Sequence, residues 1–266
     1  MALIALDDET GVSNGRIAYY RTEKQQKAWL EKKAKGYSKH ITGKGEYHFV
    51  QAYQQKFKEF VDSNNDIDFA LIGATLIIGT YVSWNDNILP FKTIQEFAIR
   101  LNVSNVQAKR IRKKMVDNDF LMKTNNNTFE VNTDYLRKGM KKNKNIEFVK
   151  VFQKNVRHLV QHLRLQDIGL VGAVIPYVSF YGGIVCKNPR EMDEKKIEHM
   201  SITELAETIG INRKTLNNKL VTMKISLENE TNLVRVFEKL NVGKTVKILI
   251  NTNILARSEN EKSNDA

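Results

Sequence analysis

Thr93 to Met115 reads TIQEFAIRLNVSNVQAKRIRKKM, and its periodicity decides the fold class. Ile94, Phe97, Ala98 and Leu101 recur at i, i+3, i+4 and i+7, the apolar stripe of a first helix. Asn102-Val103-Ser104 interrupts the stripe, and Ser104 is suited to cap a second helix. That helix turns Ala108, Ile111 and Met115 inward. It leaves Gln107, Lys109, Arg110, Arg112, Lys113 and Lys114 outward. A basic run of this density does not enter a core. It suits a phosphate backbone, with Ser104, Asn105 and Gln107 at the helix start, where base edges are read.

Ser201 to Met223, SITELAETIGINRKTLNNKLVTM, repeats the plan. Ile94, Glu96, Ala98, Val103 and Met115 return as Ile202, Glu204, Ala206, Ile211 and Met223, a constant offset of 108 (202 − 94). Gly210 lies in the turn, Asn212 is the expected cap, and Leu216, Leu220 and Met223 point inward. Asn212, Arg213, Lys214, Thr215, Asn217 and Asn218 remain as candidate DNA-contacting residues. Two helix-turn-helix patterns in one basic chain point to duplex DNA.

Each helix pair is followed by a hairpin pattern. Phe120–Thr124 and Thr128–Asn132 flank Asn125-Asn126-Asn127, and Lys123 and Asn126 are placed to reach phosphate or the minor groove. The second hairpin is expected from Val234–Leu240 and Thr245–Ile250, with Lys244 near its tip as a further candidate DNA contact. A hairpin directly after a recognition helix is the wing of a winged helix.

Upstream, residues 1–22 read as a β-hairpin, and Glu23 to Lys39 as an exposed basic arm carrying Trp29 and Leu30. Residues 41–46 read as a loop and YHFVQAYQQKFKEFV (47–61) as a helix. DFALIGATLIIGTYVS (68–83) reads as a buried helix too short for a membrane. Beyond the basic stretch RKGMKKNKN (137–145) the pattern returns. Phe49-Val50-x-x-Tyr53 recurs as Phe148-Val149-x-x-Phe152, and Leu71-Ile72-Gly73-Ala74 as Leu170-Val171-Gly172-Ala173, both at offset 99 (148 − 49). Val131-Asn132-Thr133 recurs as Ile250-Asn251-Thr252. The growing offset places insertions at residues 186–200 and 224–232.

The fold class expected is α+β, mainly helical, with two tandem winged helix-turn-helix domains related by internal duplication. The segments are a hairpin and basic arm over 1–46, a first winged-helix domain over 47–138 and a basic linker over 139–147. A second winged-helix domain over 148–256 and a disordered tail over 257–266 complete the chain.

The motifs LIALDDETG, GEYHFVQAY, the helix-turn-helix and the closing VNTDYLRKG together resemble the RepL-type plasmid and phage replication proteins of Firmicutes. The resemblance covers the first half, roughly residues 1–140; the second half, ending INTNILARS, is a degenerate echo of it. It implies a role in replication initiation and, within the cell, a nucleoid- or plasmid-associated place. Host replication proteins would be the recruited partners. The same architecture serves a transcriptional repressor or activator of a mobile element, with RNA polymerase as partner, or a partition-type DNA-binding protein.

Composition agrees with an anionic partner. The 266 residues carry a formal net charge of +12 and a pI near 9.5, which favour nucleic acid or a membrane surface. No run of 18 apolar residues occurs, and the first residues carry acids where a signal peptide carries cations, so a cytoplasmic chain with no membrane partner is expected. Cys186 stands alone in an apolar stretch and reads as a small buried residue.

Signs of catalysis are missing. A rolling-circle nickase needs two histidines two residues apart, and none of His40, His48, His158, His162 and His199 are so placed. His158 and His162 share a helix face without the glutamate of a zinc-protease motif or a third ligand. Gly243-Lys244-Thr245 resembles the end of a phosphate loop, but the first glycine of such a loop falls at Glu238. The expectation is a DNA-binding protein with no catalytic residue, no metal and no cofactor. Dimerisation is left open.

Overall fold

The computed structural model describes residues 4–5, 20–21, 49–62, 68–84, 86–139, 148–226, 233–242 and 245–257. The chain divides into two compact units, residues 1–47 and 48–266. In the first unit β1 (Ile4–Ala5) pairs antiparallel with β2 (Tyr20–Arg21), within the hairpin expected there. The basic arm and the loop at 41–46 lie outside the described residues.

The second unit is a mixed α+β structure whose centre is an antiparallel sheet. β3 (Phe49–Tyr53) and β7 (Phe148–Phe152) lie side by side, with β6 (Leu136–Arg137) on the outer edge of β3 and β12 (Leu255–Arg257) on that of β7. Val50, Ala52, Val149 and Val151 alternate along the two inner strands and are fully buried in the core, the period of two that a strand requires. The helix expected over 47–61 is therefore corrected: its first part is a strand. Phe49, Val50 and Tyr53 satisfy both periods, and the partner strand 99 residues away resolves the ambiguity (148 − 49). Only α1 (Gln54–Asp62) is helical, burying Phe57, Phe60 and Val61.

α2 (Phe69–Gly79) is the expected buried helix. Asp68 caps it, accepting from the Leu71 amide at 3.0 Å, and every residue from Leu71 to Gly79 is buried. After it come α3 (Ile94–Leu101), α4 (Asn105–Asp117) and the hairpin of β4 (Leu121–Lys123) with β5 (Phe129–Val131). The second half follows the same course through α5 (Gln153–His162), α6 (Leu165–Ala173), α7 (Ile202–Thr208) and α8 (Arg213–Thr222). Here an extra hairpin, β8 (Lys224–Ser226) with β9 (Leu233–Arg235), precedes β10 (Phe237–Val242) and β11 (Thr245–Ile250). Val234 and Arg235, expected in the second wing, instead pair back onto Ile225 and Lys224.

The most extensive helix contact joins the two halves, α2 against α6. Glycines make it possible. A Cβ at Gly73 would overlap the Leu165 carbonyl, one at Gly169 would overlap that of Phe69, and one at Gly172 would lie 2.5 Å from Ile72 Cγ2. One apolar core runs through both halves, from Phe57, Phe97 and Phe120 to Leu216, Phe237 and Ile248. The segments expected as separate domains over 47–138 and 148–256 thus fall in a single unit.

Arg257, expected in a disordered tail, pairs with Val149 in β12. Residues 140–147 of the expected linker, 227–232 of the second insertion, and 258–266 lie outside the described residues. None of the described helices is long and apolar enough to cross a membrane. Cys186 is fully buried, and burial pushes its thiol up to about 11.

Candidate nucleic-acid interface

α3 starts at a reciprocal cap. The Glu96 amide donates to Thr93 Oγ1 at 3.2 Å, while the Thr93 amide donates to Glu96 Oε2 at 2.9 Å. This satisfies two otherwise unpaired amides of the first turn. Bonds from the Thr93 hydroxyl and from the Thr93 and Lys92 amides hold the Glu96 carboxyl down to about 2. The helix ends where Asn102 takes a left-handed conformation, φ 52°, which asparagine adopts more readily than most residues. Two residues later Ser104 caps α4, accepting from the Gln107 amide at 3.3 Å.

Ala108, Ile111 and Met115 are buried along α4, as the spacing predicts. Ser104, Asn105, Gln107, Lys109, Arg110, Lys113 and Lys114 are exposed. Beyond the helix, Lys123 and Asn126 are exposed on the β4–β5 hairpin, whose turn closes at Asn127 with φ 55°. Helix and hairpin border a groove of about 800 Å³. Its lining brings together Lys92, Lys109, Arg110, Arg112, Lys113 and Lys123 against one acid, Asp117. Asp117 is itself bonded to Lys113 at 2.7 Å, an exposed pair of small energetic weight.

Arg112 holds the groove in shape. Its guanidinium lies 5.6 Å from the Phe97 ring centre and 5.1 Å from that of Phe129, and it donates to the Lys92 carbonyl at 3.0 Å. One side chain thereby ties α4 to α3, to the segment leading into it and to the hairpin. The sequence places Arg112 in the outward basic run, but its spacing does not reveal this shaping role. Lys92, just ahead of the helix pair, and the exposed Val106 beside Asn105 and Gln107 were also passed over. Val106 is an apolar group of the kind that meets a thymine methyl.

Lys114, also expected among the phosphate contacts, is exposed and makes a surface ion pair. Its ammonium bonds Asp68 Oδ2 at 2.5 Å and does not line the groove. Burial raises the Asp68 carboxyl, but the Lys114 ammonium and the Leu71 amide outweigh it and hold the group below its usual range.

The second helix pair repeats the local devices with other chemistry. Ser201 and Glu204 form the same reciprocal cap, and Lys187 reaches Glu204 at 2.5 Å. The Lys187 bond and those from Ser201 hold Glu204 down to about 2. Gly210 makes the turn at φ 64°, and Asn212 caps α8 through the Lys214 and Thr215 amides. Arg213, Lys214, Thr215 and Asn218 are exposed. Asn217 is half-buried and accepts from Lys239 Nζ of β10 at 2.9 Å. Lys219 bonds Asp167 at 2.6 Å, as Lys114 bonds Asp68 in the first half. Lys244 lies outside the described residues.

His158 bonds Gln161 at 3.1 Å on the exposed side of α5. Among the described residues no three His, Cys, Asp or Glu side chains are placed to share a metal. No protein-family model, no curated protein and no solved structure matches this chain.

Proposed function

We propose that the chain binds duplex DNA sequence-specifically through two winged helix-turn-helix units that arose by internal duplication. In this reading α4 and α8 enter major grooves, and the β4–β5 and β10–β11 hairpins brace against neighbouring backbone. The observation that carries it is the groove between α4 and β4–β5, where six cations face one acid. Apposed like charges raise each other's electrostatic energy, and an approaching phosphate backbone relieves that repulsion while releasing its counterions. The net charge of +12 acts in the same direction at longer range.

The role proposed for this binding is initiation of plasmid or phage replication by recruiting host enzymes, and it rests on the RepL-type motifs of the first half. The chain itself performs no bond-breaking step in this reading. Binding energy supplies the local opening of the duplex, which costs about 1.4 kcal/mol per base-pair step.

Selection of bound fragments from random duplex DNA by the full chain, followed by footprinting, tests the binding. A defined footprint is expected, and uniform protection with no preferred site would count against sequence reading. Incubating a supercoiled plasmid that carries the selected site with the protein and Mg²⁺ tests the rest. Unchanged topology is expected, whereas a covalent tyrosine-linked nick would make the protein a nickase.

A further inference from the structure

The two halves are related by more than their repeated sequence. Gln51 faces Lys150, its own counterpart 99 residues on (150 − 51), and the pairing runs outward symmetrically from that point. Val50 faces Val151 and Ala52 faces Val149, so each residue meets the counterpart of its opposite neighbour. The outer strands obey the same rule: Leu136 pairs with Ala52, and Leu255 with Val151. An antiparallel pair of equivalent strands in this register has a local two-fold axis through its centre.

The helices keep that axis. Gly73 and Gly172 are counterparts, and both lie where α2 and α6 meet. Gln54 and Gln153, also counterparts, are both 6% exposed and reach across in exchange. Gln54 Nε2 donates to the Ile175 and Val178 carbonyls, each at 3.0 Å, at the end of the second central helix. Gln153 Nε2 donates to the Thr80 carbonyl, 2.7 Å away, at the end of the first. A buried amide of this kind is costly to leave unpaired, so the exchange holds the halves in one arrangement.

Each helix-turn-helix is in turn fastened to its own central helix. Lys114 of α4 bonds Asp68 at the start of α2, and Lys219 of α8 bonds Asp167 in the first turn of α6. Ala108, Ile111 and Met115 of α4 and Leu216 and Leu220 of α8 share one apolar core with α2 and α6, so the relation between α4 and α8 follows the relation between α2 and α6.

From this we infer that a single chain recognises an inverted repeat with unlike half-sites. The inference rests on the DNA-binding reading above and adds the form of the target. A duplex carries its own two-fold axes across the helix, and a two-fold reader matches half-sites of opposite orientation one helical turn or a multiple apart. A direct repeat would need the two readers related by translation, which the two-fold register of the shared sheet does not allow. The half-sites differ because the helix starts that meet base edges do: Ser104, Asn105 and Gln107 on one, Arg213, Lys214 and Asn218 on the other.

The test uses the full chain and the duplex obtained by selection. Reversing one half-site in place, at unchanged composition and spacing, is expected to weaken binding by about 100-fold, since several base contacts of that arm are lost. Native mass spectrometry is expected to give one chain per inverted repeat. The variant R213A/K214A, which changes only exposed side chains, is expected to shrink the footprint to one arm and to abolish the orientation preference. Tighter binding to a direct repeat, two chains per site, or protection of one arm by the unaltered chain would overturn the inference while leaving DNA binding in place. Failure of the chain to bind any duplex would remove both readings.

Discussion

The first and second helix-turn-helix share a skeleton and differ in what they present. Both start with a reciprocal Ser/Thr–Glu cap and bury an apolar stripe, and in both a lysine of the second helix bonds the equivalent aspartate. Their outer faces have diverged. α4, at 13 residues, borders a cationic groove directly joined to its hairpin. α8 has 10 residues, an extra hairpin separates it from β10, and Asn217 is tied to Lys239. The difference teaches that repeated local rules preserve a scaffold, whereas surface charge is free to change because the core does not depend on it.

The largest effect should come from breaking what the halves share. Gly169→Val drives a branched side chain into the Phe69 backbone, and a loss of about 4 kcal/mol or more is expected, the range of severe core disruption. Amide exchange should show α3–α4 and α7–α8 losing protection together; loss in the second half alone would mean the halves are independent after all.

Next in size is the division of labour between the outer faces. Replacing Lys109 and Arg110 by Ala should weaken binding to all sequences, lowering the salt slope by about 0.9 for each phosphate contact removed. Replacing Arg213 and Lys214 should instead erode discrimination, at about 1–3 kcal/mol for each good base contact. Titrations of specific and random duplexes over a range of salt distinguish the two, and identical behaviour of both variants would show that the outer faces act alike.

Arg112→Ala sharpens it further. Loss of the two ring contacts and the Lys92 bond should cost about 1–2 kcal/mol in urea unfolding. DNA affinity should fall as well, because the hairpin is no longer held against α4. Unaltered stability would show that Arg112 is only one more surface cation.

The smallest effect concerns pH, where the two helix pairs should agree. Glu96 and Glu204 lie at about 2 in the folded chain against an ordinary 4.5. A depressed carboxyl stabilises the fold above its unfolded value, and the contribution is lost as pH falls from about 4.5 through 2. Both carboxylates lie at the surface, where solvent screens them, so the change is small. Urea midpoints measured between pH 5 and 2 should decline less steeply in E96Q and in E204Q than in the unaltered chain. An unchanged acid limb in either variant would show that its cap does not hold in solution.

Much of this was legible in the sequence, and the legible part is local. Ser104 and Asn212 act on amides two or three residues away, and Ala108, Ile111 and Met115 recur at helical spacing, so neighbouring residues suffice to specify them. The buried run at 68–83 and the asparagine turn of the first hairpin are of the same kind. What the sequence left open depends on partners far along the chain. Residues 49–53 form a strand because 148–152 lie beside them, Lys114 pairs with an aspartate 46 residues away, and Arg112 shapes the groove because Phe129 folds over it. A repeat at offset 99 announces two similar units, but not whether they hang on a linker or share a core. That was decided by Gly73, Gly169 and Gly172, which let two helix backbones meet, and by the exchanged bonds of Gln54 and Gln153. Periodicity and capping are properties of a few consecutive residues, whereas close packing and the pairing of buried polar groups exist only once distant segments meet.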